Sequence, residues 1–126
     1  MSKKWDVYKV KMPTTIYCLE LEGGRYYVGQ TPCGRFQKRF DEHRFLGGAK
    51  WTSRFKPRRV LWKERVPDEM ADEAEEMAVF KIMLKCGRNS VRGGTFNIAR
   101  DVPARGPRWL KGIYKENWQK ITAVSH

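Results

Sequence analysis

The sequence predicts an α+β fold in which helices flank a three-stranded antiparallel sheet. Two strand-forming runs, residues 15–21 and 26–30, stand on either side of a turn that contains Gly23 and Gly24. Glycines tolerate the positive φ of a tight hairpin, so these two runs should pair antiparallel. A helical segment and a third alternating run, residues 59–66, come next. Paired strands together with separate helices indicate the α+β class.

The first helical segment carries polar and aromatic residues on the same face. Phe36, Arg39, Phe40 and His43 follow the i, i+3, i+4, i+7 spacing of a helix. Two interpretations fit this stripe. Arg39 either extends to solvent from an ordinary core face, or it forms a site with His43 and the tyrosines of the hairpin.

Length and charge limit the possible classes of protein. One domain is expected for the 126 residues, with a core over about 14–94 and a C-terminal extension over 95–126. The 26 Lys and Arg residues against 14 Asp and Glu give a net charge of +12, which favours a polyanionic partner, nucleic acid first. With no bilayer-spanning run and no signal-peptide core, we expect no membrane partner and an intracellular protein of the cytoplasm (bacterial or host) or nucleus. Cys18, Cys33 and Cys86 lack C-x-x-C spacing and are expected to be reduced thiols.

A basic and aromatic segment follows the first helix. Seven basic residues and no acidic residue occur between positions 44 and 63: Arg44, Lys50, Arg54, Lys56, Arg58, Arg59 and Lys63. Phe45, Trp51 and Phe55 are interleaved with them. This combination suits phosphates and exposed bases, although Trp51 could equally cap the core.

A long helix is predicted from residue 68 to 85, ending at Gly87. Six carboxylates crowd its first part: Asp68, Glu69, Asp72, Glu73, Glu75 and Glu76. Glu75 has the most apolar helical neighbours, so it is the carboxylate for which burial would need compensation by a cation. A shift of one residue in the helical register would transfer this role to Glu76, and an ordinary half-buried glutamate is the remaining alternative.

The ends of the chain are less informative. Residues 1–13 form a basic lead-in in which Trp5, Val7 and Tyr8 could add an edge strand or pack over the sheet. In the extension, an apolar stripe predicts a short final helix that docks on the body; it comprises Leu110, Tyr114, Asn117, Trp118 and Ile121.

The order of these motifs resembles the GIY-YIG nuclease family. Thr15-Ile16-Tyr17 is similar to its first triplet, Tyr27-Val28-Gly29 to its second, and Arg39 with His43 to the R-x-x-x-H helix. Thr15 replaces the usual glycine and Val28 is a common variant. The segment G-G-A-K-W-T is similar to one in the flap- and junction-cutting subgroup, and N-S-V-R-G-G to a loop of viral and microbial members. The resemblance covers about 15–94.

The resemblance implies a metal-dependent DNA endonuclease that uses Mg²⁺, for which Mn²⁺ can substitute. It implies five catalytic residues, of which Glu75 also holds the metal: Tyr17, Tyr27, Arg39, His43 and Glu75. Together with the basic segment, it implies DNA contacts from Gly29, Arg44, Lys50, Trp51, Thr52, Arg54, Lys56, Arg88, Asn89 and Arg92. The family's polar residue in the last loop is matched by either Asn89 or Ser90.

Three functions remain in competition. The first is the endonuclease, for which cutting that depends on DNA structure or only weakly on sequence is expected, because no recognition domain is attached; flaps, junctions, nicks and RNA stay open as substrates. The second is a non-catalytic nucleic-acid-binding protein of the same fold, and the third is a basic protein that packs DNA. Because one active site cuts one strand, a homodimer or a partner protein is also possible alongside duplex or branched DNA.

Overall fold

A computed structural model describes residues 12–124 of the chain. The predicted lead-in with Trp5, Val7 and Tyr8 therefore lies outside the described residues. The elements follow in the order β1 (Thr14–Leu21), β2 (Arg25–Pro32), α1 (Phe36–Phe45), α2 (Lys50–Arg54), β3 (Pro57–Val66), a 3₁₀ turn (Asp68–Met70), α3 (Ala71–Cys86), β4 (Val91–Arg92) and α4 (Gly112–Thr122). Helices and strands are thus both present, and the α+β class is confirmed.

The sheet has four strands in the order β3-β1-β2-β4. The predicted hairpin is confirmed, with Tyr17 opposite Gly29 and Leu19 opposite Tyr27. β3 pairs antiparallel with the other side of β1. The prediction of a three-stranded antiparallel sheet is wrong, however, because β4 adds a fourth strand that runs parallel to β2. β4 pairs only at Tyr26 and Tyr27, so a single short ladder makes the sheet mixed.

The two faces of the sheet carry separate hydrophobic clusters. Tyr17, Leu19, Tyr27 and Trp51 form the cluster on the face that α1 and α2 cover. On the opposite face, Ile16, Cys18 and Val28 belong to the cluster that includes α3 and α4. Alternation of side chains along β1 produces this division, since successive residues of a strand point to opposite faces. Tyr17 is therefore directed at α1, where the predicted Arg39 and His43 stripe lies.

The predicted long helix and final helix are both present. The long helix begins as the 3₁₀ turn and continues as α3 to Cys86, one residue beyond the predicted end. In α4, Tyr114, Trp118 and Ile121 are buried against the body, as the apolar stripe predicted. α4 also contacts α3 through the hydroxyl of Tyr114, which donates to the Glu76 carbonyl at 3.0 Å. The C-terminal extension therefore braces the helix that carries Glu75.

Within residues 12–124, no helix combines the length and the apolar character needed to cross a membrane. Cys18, Cys33 and Cys86 are free thiols.

Candidate active site

Two tyrosine rings from adjacent strands meet above Gly29. A Cβ at this position would lie 2.4 Å from the Tyr17 hydroxyl oxygen and 2.9 Å from Tyr27 Cε2. Both distances are far inside van der Waals contact, so only glycine leaves room for the two phenols. Tyr17 is fully buried and Tyr27 is 6% exposed. The absence of a side chain at Gly29 thus sets where the Tyr17 hydroxyl lies.

The Tyr17 hydroxyl begins a chain of buried hydrogen bonds. Its oxygen lies 2.8 Å from His43 Nε2, and His43 Nδ1 lies 2.9 Å from the Thr52 hydroxyl. All three side chains are fully buried. α1 therefore supplies the imidazole and α2 supplies the threonine, while β1 supplies the phenol. The Tyr27 ring packs on His43 with ring centroids 4.9 Å apart.

The surroundings of Thr52 assign the tautomer of His43. The Thr52 hydroxyl donates to the Ala49 carbonyl at 3.1 Å and accepts from the Ala49 amide at 3.2 Å. A hydroxyl has one proton, so His43 Nδ1 must be the donor in its bond to Thr52. Nε2 then has a lone pair and accepts the Tyr17 proton. Burial, aided by the Arg39 charge, lowers the pKa of His43 to about 4, which keeps the imidazole neutral.

Burial also keeps the two phenols protonated. Burial, followed by the nearby Tyr27, raises the pKa of Tyr17 far above its usual range, and the charge of Arg39 opposes that rise. The pKa of Tyr27 is raised by burial and then by the Glu75 charge. Tyr17 therefore holds its proton toward His43, and its oxygen, which is fully buried, can accept from a water or a ligand only where the side chains around it move apart.

Arg39 lies next to this chain, at the surface end of the site. Its guanidinium donates to Glu42 Oε1 at 2.9 Å and to the Gly48 carbonyl at 3.3 Å, and its side chain is 31% exposed. A surface ion pair of this kind contributes little stability. An oxyanion arriving at Arg39 can therefore replace Glu42 at small cost, since the guanidinium fork binds phosphate oxygens in the same way.

Glu75 of α3 reaches the same strand from the other side. Its Oε1 accepts from the Gln30 amide at 2.7 Å, and its Oε2 accepts from the Gly94 backbone N–H at 2.8 Å. Glu75 is 7% exposed, and burial raises the pKa of its carboxyl although both hydrogen bonds oppose the rise. Gly93 lets the loop that carries Gly94 lie close to β2. Its φ is +149°, and a Cβ there would lie 2.1 Å from the Val28 carbonyl oxygen.

Tyr27 and Glu75 line one cleft, hereafter the Glu75 cleft, of about 500 Å³. Three further carboxylates, those of Asp72, Glu73 and Glu76, face it. Within the described part of the chain, no group of three or more histidine, cysteine or acidic residues is arranged to hold a metal ion. Each Glu75 oxygen nevertheless keeps a second lone pair beside its hydrogen bond. One buried carboxylate with water and phosphate oxygens is a donor set that fits Mg²⁺.

Several of the residues predicted to contact DNA are on the surface. Arg44, Lys50, Arg54 and Lys56 are exposed, in and around α1 and α2. The Arg44 guanidinium carbon lies 4.7 Å from the centroid of the Phe45 ring, and this pair extends the cationic surface at the end of α1. Arg88 is half-buried, and its Nε donates to the Val102 carbonyl.

Other residues that were predicted to contact DNA are buried. For these residues the prediction of direct contact with DNA is wrong. Trp51 is fully buried and its Nε1 donates to the Tyr26 carbonyl, so its ring cannot stack on a base. Gly29 lies beneath the tyrosines and Thr52 is bonded to His43. Arg92 is also fully buried, with its guanidinium 4.4 Å from the Trp51 ring centroid.

Arg92 and Asn89 instead hold the loop between β4 and α4. Arg92 donates to four carbonyls, those of Arg88, Val91, Ile98 and Arg100, and to the Asn89 side chain. Asn89 Oδ1 also accepts from the Val102 amide at 2.7 Å. The Ser90 hydroxyl is occupied by the Gly87 carbonyl at 2.6 Å. Neither Asn89 nor Ser90 faces the Glu75 cleft, and both serve the loop.

Two residues of the site were not predicted from the sequence in the roles that they have. Gln30 bridges Glu75 and Asp72 from the last part of β2, directly after Gly29. Strand alternation could have predicted its orientation, because Gln30 lies one residue beyond Gly29 and so points to the face that α3 covers. Thr52 was singled out, but for DNA contact rather than for His43. No local pattern connects a threonine to a histidine on the preceding helix.

The site is therefore a buried phenol–imidazole–hydroxyl chain with a guanidinium and a carboxylate near it, on an α+β fold. In comparisons with known proteins, no protein family, curated protein or solved structure matches this chain.

Proposed function

We propose that this chain is a metal-dependent DNA endonuclease of the GIY-YIG type. The observation that carries the proposal is the buried hydrogen bond from Tyr17 to His43 beside Gly29, with the Arg39 guanidinium near both side chains and Glu75 in the cleft that Tyr27 lines. A phenol with a neutral base behind it, a replaceable guanidinium and a buried carboxylate are the groups that phosphodiester hydrolysis needs. The net charge of +12 supports a polyanionic substrate.

The proposed reaction moves one proton through the buried chain. A water donates its proton to Tyr17 as Tyr17 passes its own proton to His43 Nε2, 2.8 Å away. The water oxygen forms a new bond to phosphorus while the bond from phosphorus to the 3′ oxygen breaks, and the leaving oxygen is protonated by solvent. His43 then returns its proton to Tyr17, and Tyr17 releases the proton taken from the water to solvent, which replaces the one given to the leaving oxygen.

Substrate binding supports this proton transfer through Arg39. The Arg39 charge is the second cause, after burial, of the low pKa of His43. A phosphate that engages Arg39 opposes this charge with an anion, as the Glu42 carboxylate does in the free protein, and so favours the protonated form of His43. Arg39 also stabilises the negative charge that develops on the non-bridging oxygens.

Glu75 is the residue that would hold Mg²⁺ or Mn²⁺, with Gln30 and the Gly94 amide keeping the carboxylate in place. Bound there, the metal supplies positive charge to the phosphate and lowers the pKa of nearby water. Asp72 is hydrogen-bonded to the same Gln30 amide at 2.8 Å and adds negative charge to the cleft.

The test is single-turnover cleavage with Mg²⁺ on linear duplex, nicked, flap, four-way junction and single-stranded DNA, with an RNA arm. Cleavage of at least one substrate is expected, and chelation or Glu75→Gln should abolish it. Metal-independent binding without cleavage of any substrate would overturn the proposal. It would favour the non-catalytic nucleic-acid-binding alternative, which a Glu75 carboxylate with one hydrogen bond to each oxygen also suits.

A further inference from the structure

A second cleft lies in the C-terminal extension. It has a volume of about 770 Å³ and is lined by the segment from Ile98 to Trp109. Three exposed arginines surround it: Arg100, Arg105 and Arg108. We call it the arginine cleft. Its remaining large side chain, Trp109, is 42% exposed.

The arginine cleft presents a tryptophan in a fixed orientation. The Trp109 ring packs on Phe96 with centroids 4.8 Å apart, and Phe96 is fully buried. The loop opposite is held by Trp118, whose Nε1 donates to the Ala104 carbonyl at 2.7 Å. One side of the Trp109 indole is therefore anchored in the core while the exposed part is available to a ligand.

The charge of the arginine cleft is positive. Its one acidic residue, Asp101, lies 3.2 Å from the guanidinium of Arg54, which also donates to the Ala99 carbonyl at 2.6 Å. Arg54 belongs to α2 and to the exposed basic surface described above. The same contact that neutralises Asp101 thus joins the arginine cleft to the basic surface of α2.

The arginine cleft and the Glu75 cleft are lined by adjacent residues of the chain. Asn97 lines the Glu75 cleft and the next residue, Ile98, lines the arginine cleft. This adjacency is the reason for placing the arginine cleft beside the bond that is cut.

We propose that the arginine cleft binds an unpaired segment of the nucleic acid next to the bond that is cut. The arginines hold its phosphates and the Trp109 indole stacks on one base. In a duplex the base faces are covered by their neighbours, so an exposed indole is useful only to bases that are unstacked. This inference deepens the proposed function by selecting substrates with a single-stranded flank, and it rests on nucleic acid being the ligand.

The test compares Trp109→Ala with Trp62→Ala, a matched control on β3 whose tryptophan is 39% exposed. Binding of a labelled short oligothymidine and of a duplex of the same length is measured by fluorescence anisotropy. Trp109→Ala should weaken oligothymidine binding by about 5- to 150-fold, the loss expected for one base–aromatic stack, and leave duplex binding unchanged. Trp62→Ala should change neither.

A second variant protects the test against misfolding, because Trp109 packs on Phe96. Arg105→Gln combined with Arg108→Gln alters only exposed side chains. It should reduce the salt slope of oligothymidine binding by about 1.4, or about 0.7 for each phosphate that is no longer neutralised. An unchanged slope, equal losses for duplex and single strand, or a polyglutamate peptide that competes as well as oligothymidine would overturn the inference.

The outcomes separate this inference from the proposed function. A protein that cleaves no substrate yet loses oligothymidine binding with Trp109→Ala refutes the nuclease proposal and supports the arginine cleft. A protein that cleaves DNA while Trp109→Ala binds oligothymidine normally refutes the arginine cleft alone.

Discussion

Tyr17 and His43 are joined by a 2.8 Å hydrogen bond between two fully buried side chains, one on a strand and one on a helix. Neither position needs a polar residue for packing alone, since phenylalanine fills the space of tyrosine. The bond matters because it gives the phenol a proton acceptor that solvent cannot reach.

Tyr17→Phe and Arg39→Ala should each reduce the single-turnover cleavage rate by about 100- to 1000-fold, the usual cost of one lost electrostatic partner. The loss of rate in the double variant should be far smaller than the product of the two single losses, since groups that act as a unit are not additive. Thermal melts provide the control, because Tyr17→Phe removes only one hydroxyl. Cleavage by Tyr17→Phe at the wild-type rate would remove the phenol from the mechanism.

Thr52→Val should slow cleavage although Thr52 touches no substrate. Without its hydroxyl, the Nδ1 proton of His43 has no acceptor and the tautomer that leaves Nε2 free is no longer favoured. We expect the cleavage rate to fall by at least about tenfold. The upper limit is the full contribution of general acid–base catalysis, which is about 100- to 10,000-fold. Thr52→Ser keeps the hydroxyl and should restore the rate. A merely structural role would instead be indicated if valine and serine variants cleaved equally well.

Glu75→Gln should abolish cleavage while DNA binding is retained or strengthened, because a negative charge near phosphate is removed. Its unfolding free energy should fall, because a glutamine has one acceptor oxygen where Glu75 has two, so either the Gln30 amide or the Gly94 N–H loses its partner. Glu76→Gln is the matched control one residue along α3, half-buried and bonded only weakly to Thr95 at 3.4 Å. Activity lost in Glu76→Gln and kept in Glu75→Gln would reverse the assignment.

The stability of the protein should decrease as the pH falls from about 6.5 to about 4. The unfolded chain protonates His43 near its ordinary pKa of about 6.5, whereas the folded chain does so only near 4. Between these values the unfolded state binds more protons, so stability rises with pH by up to about 1.4 kcal/mol per pH unit.

The slope of this pH dependence is measured by denaturant unfolding across the window. His43→Gln should flatten it relative to wild type. Identical slopes in wild type and His43→Gln would show that His43 is not buried in its neutral form.

DNA binding should weaken steeply with salt, through the exposed residues of α1 and α2. Lys50→Gln and Lys56→Gln should each lower the slope of log affinity against log salt concentration by about 0.9 for duplex DNA if each contacts one phosphate. Affinity that hardly changes between low and physiological salt would contradict an electrostatic interface.

Arg92→Gln should instead lower the melting temperature, because Arg92 is buried in the loop and donates to four carbonyls.

Long periodic elements were predictable from the sequence, and short ones were not. The hairpin, β3 and α3 each repeat their pattern over many residues, which is why their existence could be inferred. β4 consists of Val91 and Arg92 alone, too few residues to show alternation. The fourth strand, and with it the mixed sheet, therefore depends on tertiary contacts that no local pattern encodes.

Burial of polar residues was predictable only where apolar neighbours surround them along one helix. Glu75 met this condition and is buried, as expected. Trp51 and Arg92 form a cation–π pair from separate segments, and a basic and aromatic sequence is the same whether the pair lies in the core or on the surface. The sequence therefore could not distinguish a DNA contact from an internal brace.

The glycine beneath the two tyrosines has a consequence for genetics. Any side chain at Gly29 displaces two buried phenol rings at once, those of Tyr17 and Tyr27, so loss of folding and loss of the hydrogen bond from Tyr17 to His43 cannot be separated there. A mutational screen for folded but inactive proteins should return Tyr17 and Glu75 and never Gly29. Such a screen would thus divide the residues around one glycine into those that react and the one that makes room for them.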